Sequence, residues 1–118
     1  MNWILIFIGG GMGSVLRYFI SQQLVQSKHF PWATLVSNLL ATALLAALMV
    51  YLKSDEKPAW LMPLMGIGFC GGFSTFSTFS AENAQLYTQG MWGLLLINVL
   101  VSLFGGFLIF IAVQQIKL

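Results

Sequence analysis

The stretch GGFSTFSTFS, residues 71–80, lies inside the third of four long apolar segments. Two glycines are followed by a phenylalanine at every third position, Phe73, Phe76 and Phe79, and serine or threonine fills the gaps. Adjacent glycines weaken a helix, and hydroxyl groups are costly in hydrocarbon unless they have partners. The stretch therefore predicts a broken membrane helix whose freed polar groups serve a buried site.

The composition of the whole chain is that of an integral membrane protein. Of its 118 residues, 58% are hydrophobic and 7% are charged, and the mean hydropathy is +0.88. Few soluble domains of this size bury so much apolar surface. The net charge of +2 comes without a basic patch that would suggest nucleic acid. We expect an all-α protein surrounded by membrane lipid, with no nucleic-acid partner.

Four apolar segments are long enough to cross a bilayer, which needs about 20 residues per helix. They cover residues 3–25, 32–52, 60–89 and 91–113, with a break in the third near 71–75. Tryptophan favours the headgroup interface, and one falls at or near the start of each segment: Trp3, Trp32, Trp60 and Trp92. The prediction is a single four-helix membrane domain over residues 1–118.

Short loops leave no room for a catalytic domain, and the residues do not suit an enzyme. The only histidine, His29, lies in a predicted loop. The acids are Asp55, Glu56 and Glu82, and no nucleophile–base arrangement is evident. We predict that the chain is not an enzyme.

The loop charges barely favour one orientation in the membrane. Four spans put both termini on the side of Lys53 and Lys57, where Lys117 also falls. Lys28 lies on the other side, with Arg17 if it snorkels that way. The positive-inside rule acts on such short loops, so this weak bias permits insertion in both directions and an antiparallel homodimer. Four helices leave little room for a pore, so oligomerisation is expected.

Polar side chains inside the predicted spans are functional candidates because each costs free energy there. Thr34, Asn38 and Thr42 recur on one ridge of the second span, and Asn98 and Ser102 share a ridge of the fourth. The simpler alternative for Asn38 is an interhelical hydrogen bond worth about 0.6 kcal/mol. Glycine pairs with G-x-x-x-G spacing predict close helix packing: Gly9 with Gly13 and Gly68 with Gly72.

Arg17 is the costliest of these residues, at ~2.5–3.5 kcal/mol for a central arginine. It lies past the middle of the first span. Three roles are open: it snorkels to the interface, it pairs with Glu82, or it lines an aqueous vestibule that attracts anions.

Two kinds of ion chemistry meet in residues 71–80. Phe76 and Phe79 share a helical face with Ser77 and Thr78 beside them. Positive ring edges and hydroxyl donors replace part of the water around a small anion, whereas carbonyls freed by a broken helix suit a hard cation. The simpler alternative is a kinked helix with packed phenylalanines.

The motif GFCGGFSTFSTFSAE, residues 68–82, resembles the third-span signature of the Fluc (CrcB) fluoride channels. GGGMGSVLRY at 9–18 and PWATLVSNLLA at 31–41 extend the resemblance along the chain. The resemblance implies an antiparallel, dual-topology homodimer with a pair of fluoride pores. It implies passive fluoride export across the cytoplasmic (inner) membrane of a bacterium, and a structural sodium ion at the dimer centre.

The resemblance also implies roles for individual residues. The backbone carbonyls of Gly71 and Ser74 would bind the sodium ion. Six residues match the fluoride pore and its hydroxyl track: Asn38, Phe76, Phe79, Ser77, Thr78 and Ser102. Arg17 and Glu82 match the family's first-span arginine and third-span acid, while Asn98 stands where other members carry a larger or hydroxylated side chain.

Two other functions are compatible with the composition. A small dual-topology, proton-coupled exporter would need a titratable acid in the substrate path, and the first span has none. A structural membrane assembly subunit would leave the cost of the intramembrane polar groups without a purpose.

Overall fold

The computed structural model describes residues 2–24, 30–53 and 56–116. Three long helices are α1 (Asn2–Gln23), α2 (Trp32–Tyr51) and α5 (Trp92–Gln114). Between α2 and α5 lie a π-helix, π1 (Met62–Cys70), the short helix α3 (Gly71–Phe73) and α4 (Phe76–Thr88). Several sequence-based assignments fall outside the described residues: the end of the first span at Val25, Lys28, His29, Asp55 and Lys117.

Three of the helices are long and apolar enough to cross a membrane. The mean hydropathy of their most apolar windows is 1.6 for α1, 2.0 for α2 and 2.7 for α5. The third apolar segment is interrupted, so its halves are shorter helices. This pattern is that of an all-helical, multi-pass membrane protein.

The third segment differs from the kinked α-helix that two glycines would produce. Gly71 keeps helical dihedral angles, φ −63° and ψ −37°. Ser74 (φ −86°, ψ 158°) and Thr75 (φ −152°, ψ 121°) are extended instead. The break therefore lies just after the glycines. The π-helix that precedes them, which is wider than an α-helix, was not predicted from the sequence.

Backbone contact between α1 and the first half of the third segment depends on glycines. Gly13 is buried, and a Cβ atom there would meet the Phe69 carbonyl. Across the contact, a Cβ atom on Gly72 would meet the Gly10 carbonyl. The predicted close packing through these glycines is confirmed, and it fixes the position of the break relative to α1.

The outer faces of the long helices are apolar and exposed. Gly9 and Gly13 are the buried residues of α1, and Asn98 is the buried residue of α5. Large side chains point outward, among them Phe7 (81% exposed) and Trp92 (65%). In a bilayer these surfaces contact lipid or another protein chain.

We expect Gly13→Ala to destabilise the protein, because its methyl group would meet backbone atoms that no rotamer change can move. Such overpacking typically costs about 1–3 kcal/mol. Gly11→Ala is the matched control on the same helix, since a Cβ atom there has nothing within 4 Å. Thermal unfolding in detergent measures both variants, and an equal midpoint for Gly13→Ala and Gly11→Ala would contradict the packing role.

Candidate functional site

The break frees several backbone carbonyls, among them those of Gly71 and Ser74, because the amides that would bond these two have other partners. In an α-helix each carbonyl accepts from the amide four residues on. The Thr75 N–H instead donates to Asn38 Oδ1 at 2.7 Å, and the Thr78 N–H donates to Thr75 Oγ1 at 3.2 Å. Within the described residues, no hydrogen bond therefore reaches the carbonyls of Gly71 and Ser74.

Asn38 on α2 holds the extended residue of the break. Its Nδ2 donates to the Thr75 carbonyl at 3.2 Å, while its Oδ1 accepts from the Thr75 N–H. The side-chain amide thus pairs both backbone groups of one residue, as a neighbouring β-strand would. One Nδ2 hydrogen has no protein partner in the part of the chain that the structure describes, so it is available to a ligand.

Thr75 belongs to the candidate site, although the sequence analysis assigned it no role. It is the N-cap of α4, where its hydroxyl accepts from the Thr78 N–H and lies 3.2 Å from Ser77 Oγ. Threonine directly before a helical segment is a known start signal. That signal, applied to the S-T pair after the glycines, would have located the break.

Arg17 on α1 bonds to the break rather than to an acid. Its Nε donates to the Gly72 carbonyl at 3.1 Å, and Ser14 Oγ donates to the same oxygen at 3.4 Å. Among the described residues, Glu82 Oε1 is buried without a hydrogen-bond partner. The predicted alternative of an Arg17–Glu82 ion pair is therefore wrong for this structure.

Four of the predicted pore residues line one cavity of about 280 Å³, which we call the break cavity. Phe76 and Phe79 contribute tilted rings with centroids 6.1 Å apart. The remaining lining residues are polar apart from a single leucine: Asn38, Thr42, Ser74, Thr75, Ser102 and Leu103. The cavity therefore places amide, hydroxyl and aromatic groups around one small volume.

The other two residues of the predicted hydroxyl track lie elsewhere. Thr78 lines a second cavity of about 190 Å³, the Arg17 cavity, with Arg17, Thr34 and Glu82. The Ser77 hydroxyl faces Thr75 Oγ1. The six predicted residues thus do not form one continuous lining within a protomer: α4 separates two cavities.

Asn98 is placed between helices. It is 1% exposed, and its Nδ2 donates to Asn83 Oδ1 on α4 at 2.7 Å. Its Oδ1 accepts from Ser102 Oγ at 3.5 Å. Asn98 therefore reaches the break cavity only through Ser102, and its partner Asn83 was not identified from the sequence.

The free carbonyls of Gly71 and Ser74 belong to residues that line a third cavity of about 200 Å³. Gly71 and Ser74 line it together with Ala41, Gly66 and Cys70. Gly71 is exposed, and a Cβ atom there would have nothing within 4 Å. Backbone oxygens of an unwound membrane helix are ligands for hard monovalent cations, so this donor set fits sodium.

The first turn of α4 adds positive potential to the break cavity. The helix begins at Phe76, and a helix N-terminus carries about half a positive charge from its aligned peptide dipoles. Phe76 itself lines the cavity. Donors and a positive helix end in one low-dielectric cavity favour a small anion.

Comparisons with known proteins identify the family of this chain. Residues 4–113 match the family model described as "CrcB-like protein, Camphor Resistance (CrcB)". A relative from Pyrococcus horikoshii, named "Fluoride-specific ion channel FluC", is 44% identical over 117 residues, covering 94% of both chains. A Klebsiella pneumoniae protein of the same name is 43% identical, covering 86% of this chain and 82% of the relative.

A more distant relative spans a similar length. "Fluoride-specific ion channel FluC 1" from Frankia casuarinae is 36% identical over 115 residues, covering 91% of this chain and 88% of the relative. Each of these three relatives is named as a channel, in keeping with the expectation that the chain is not an enzyme. The resemblance drawn from the third-span motif is confirmed, and the chain belongs to the CrcB family.

Proposed function

We propose that this chain is the protomer of a fluoride channel that lets fluoride leave the cytoplasm passively. The observation that carries the proposal is the break cavity, in which Asn38, Phe76, Phe79 and Ser102 meet. The relatives' printed name, fluoride-specific ion channel, supports the choice of ion.

Fluoride is small and strongly hydrated, so its path must supply donors in place of water. The break cavity supplies the free Asn38 N–H, the Ser102 hydroxyl and two phenylalanine rings, whose edges an anion would contact. Ring edges carry partial positive charge, and the cavity's low dielectric strengthens each contact. The Arg17 cavity, with its cation and the Thr78 hydroxyl, is suited to a vestibule on the other side of α4.

Passive transport is favoured over proton coupling by the position of the acid. Glu82 is the one acid within the described helices, and it lines the Arg17 cavity rather than the break cavity. A coupled exporter needs its proton-binding acid in the substrate path. With valinomycin and potassium present to carry the compensating charge, fluoride efflux that is unaffected by a proton ionophore separates a channel from such an exporter, and a structural subunit would give no efflux.

A sodium ion at the break is a further part of the proposal. The residues fit it, because the Gly71 and Ser74 carbonyls lack hydrogen bonds and their residues line one cavity. When bound, sodium would be coordinated by carbonyl oxygens that otherwise have no hydrogen-bond partner in a membrane-embedded segment. Gly71 faces outward from the protomer, which suits an ion shared between two copies at the dimer centre.

The proposed assembly is an antiparallel homodimer in the inner membrane of a bacterium, with protomers inserted in both orientations. The support is the weak charge bias of the loops, together with the exposed apolar faces of α1 and α5. An antiparallel partner would place a second copy of each cavity in the opposite orientation.

We expect Phe76→Ile and Phe79→Ile each to slow fluoride efflux by about tenfold or more, because isoleucine keeps volume but lacks a polarised ring edge. The measurement is initial efflux from proteoliposomes, normalised to folded protein by size-exclusion chromatography. Phe7→Ile is the matched control, since that ring on α1 is as exposed in the protomer as Phe76 but lines none of the three cavities. Wild-type rates in both cavity variants would show that the rings are ordinary packing.

Sodium binding to the folded protein should raise its melting temperature. A ligand present at 100 times its dissociation constant stabilises the folded state by about 2.7 kcal/mol. The experiment exchanges sodium for N-methylglucamine at constant ionic strength and follows unfolding in detergent, with potassium as a second comparison. An unchanged melting temperature on removal of sodium would argue against a structural ion at the break.

If both orientations occur, the loops at both ends of the helices should be reachable by a reagent from outside intact cells. Lys53→Cys and Gln89→Cys lie in exposed turns at opposite ends of the helices, and we expect an impermeant maleimide to label a fraction of each. The background is Cys70→Ala, and wild-type protein with its buried Cys70 (3% exposed) is the control. Complete labelling of one position with none of the other would establish a single orientation.

A further inference from the structure

A chain of hydrogen bonds connects α4 to the wall of the break cavity through the interior of the protomer. Asn98 Nδ2 donates to Asn83 Oδ1 at 2.7 Å, and Ser102 Oγ donates to Asn98 Oδ1 at 3.5 Å. Asn98 is 1% exposed, whereas Ser102 lines the cavity. A buried amide thus stands directly behind one of the hydroxyls that would face an anion.

The orientation of the Asn98 amide depends on Asn83. With the Asn83 oxygen directed at Asn98, only the NH₂ end of Asn98 makes a favourable contact across 2.7 Å. The opposite end, Oδ1, is then left facing Ser102. Asn83 is half-buried on α4, so the position of α4 determines which atom of Asn98 the serine meets.

The length of the serine bond matters for anion binding. A serine inside a helix usually donates to the backbone carbonyl one turn earlier, which for Ser102 is the carbonyl of Asn98. Here the hydroxyl donates to the Asn98 side chain over 3.5 Å, at the weak end of hydrogen-bond geometry. A hydroxyl held by so weak a hydrogen bond can redirect its O–H toward an incoming anion at little cost.

We propose that Asn98 is a positioning residue that keeps the Ser102 hydroxyl available to an anion in the break cavity, and that Asn83 fixes the orientation of Asn98. The inference rests on the proposed function, because it concerns how that cavity receives fluoride. When the anion enters, the serine turns its single proton toward it, and Asn98 loses only a long bond.

The test is a double-mutant cycle on fluoride efflux from proteoliposomes, with Asn98→Leu, Ser102→Ala and the double variant. Without the amide acceptor, the hydroxyl bonds to its own helix and is lost to the anion. We expect each single variant to slow efflux by about tenfold, the value of one hydrogen bond to a charged group. The double variant should be no slower than the slower single variant, since both changes remove the same donor.

Asn83→Leu provides a second and independent cycle. It should slow efflux in the wild-type background and have little effect in the Ser102→Ala background. Asn2→Leu is the matched control, because it makes the same substitution at an exposed asparagine of α1 and should leave efflux unchanged. If the Asn98→Leu variant is not monodisperse, and so does not fold properly, the test relies on the cycle of Asn83→Leu with Ser102→Ala.

If the two single-variant losses of efflux rate multiply in the double variants of both cycles, the inference is overturned. Such a result would show that the asparagines act independently of the Ser102 hydroxyl, through stability or the position of α4. Melting temperatures of all variants accompany the rates, so that a loss of folded protein is recognised. Wild-type protein that dissipates no fluoride gradient would instead overturn the proposed function, and this inference with it. A transporting wild type with multiplicative cycles overturns the inference alone.

Discussion

An interrupted helix in a membrane leaves backbone groups that water does not reach, and each must find a protein partner or an ion. In this chain the constraint is met by one side chain more than any other. The Asn38 side chain hydrogen-bonds to both the N–H and the carbonyl of Thr75, and this pairing holds two extended residues between helical segments. The cavities, the freed carbonyls and the start of α4 all depend on that pairing.

The same break creates two opposite chemical environments because the chain has a direction. Gly71 and Ser74, whose carbonyls are free, line one cavity at the end of the first half, whereas the extended residues and the start of the second half line another. Arg17 adds a third element by covering the Gly72 carbonyl that lies between them. One irregular segment of backbone therefore supplies oxygen ligands and anion donors within a few residues.

Much of this arrangement could be predicted from the sequence, and the exceptions have physical causes. Apolar length and glycine spacing predicted the helices and the close contact of α1 with the third segment, since both are local properties. The break was expected at or near the glycines, but the threonine cap and the Asn38 pairing place it after them. The partners of Arg17 and Asn98 could not be read from the sequence, because hydrogen bonds between helices depend on rotation and register that only the packed structure fixes.

The π-helix before the break has a consequence for chain length. Its hydrogen bonds join residues five apart rather than four, so each of its turns contains one residue more than an α-helical turn needs. A chain one residue shorter within Met62–Cys70 could form an α-helical turn there and keep both ends in place. We therefore expect a one-residue deletion within the π-helix to be better tolerated than one between Phe76 and Phe79 in α4, which would rotate Phe79 out of its cavity.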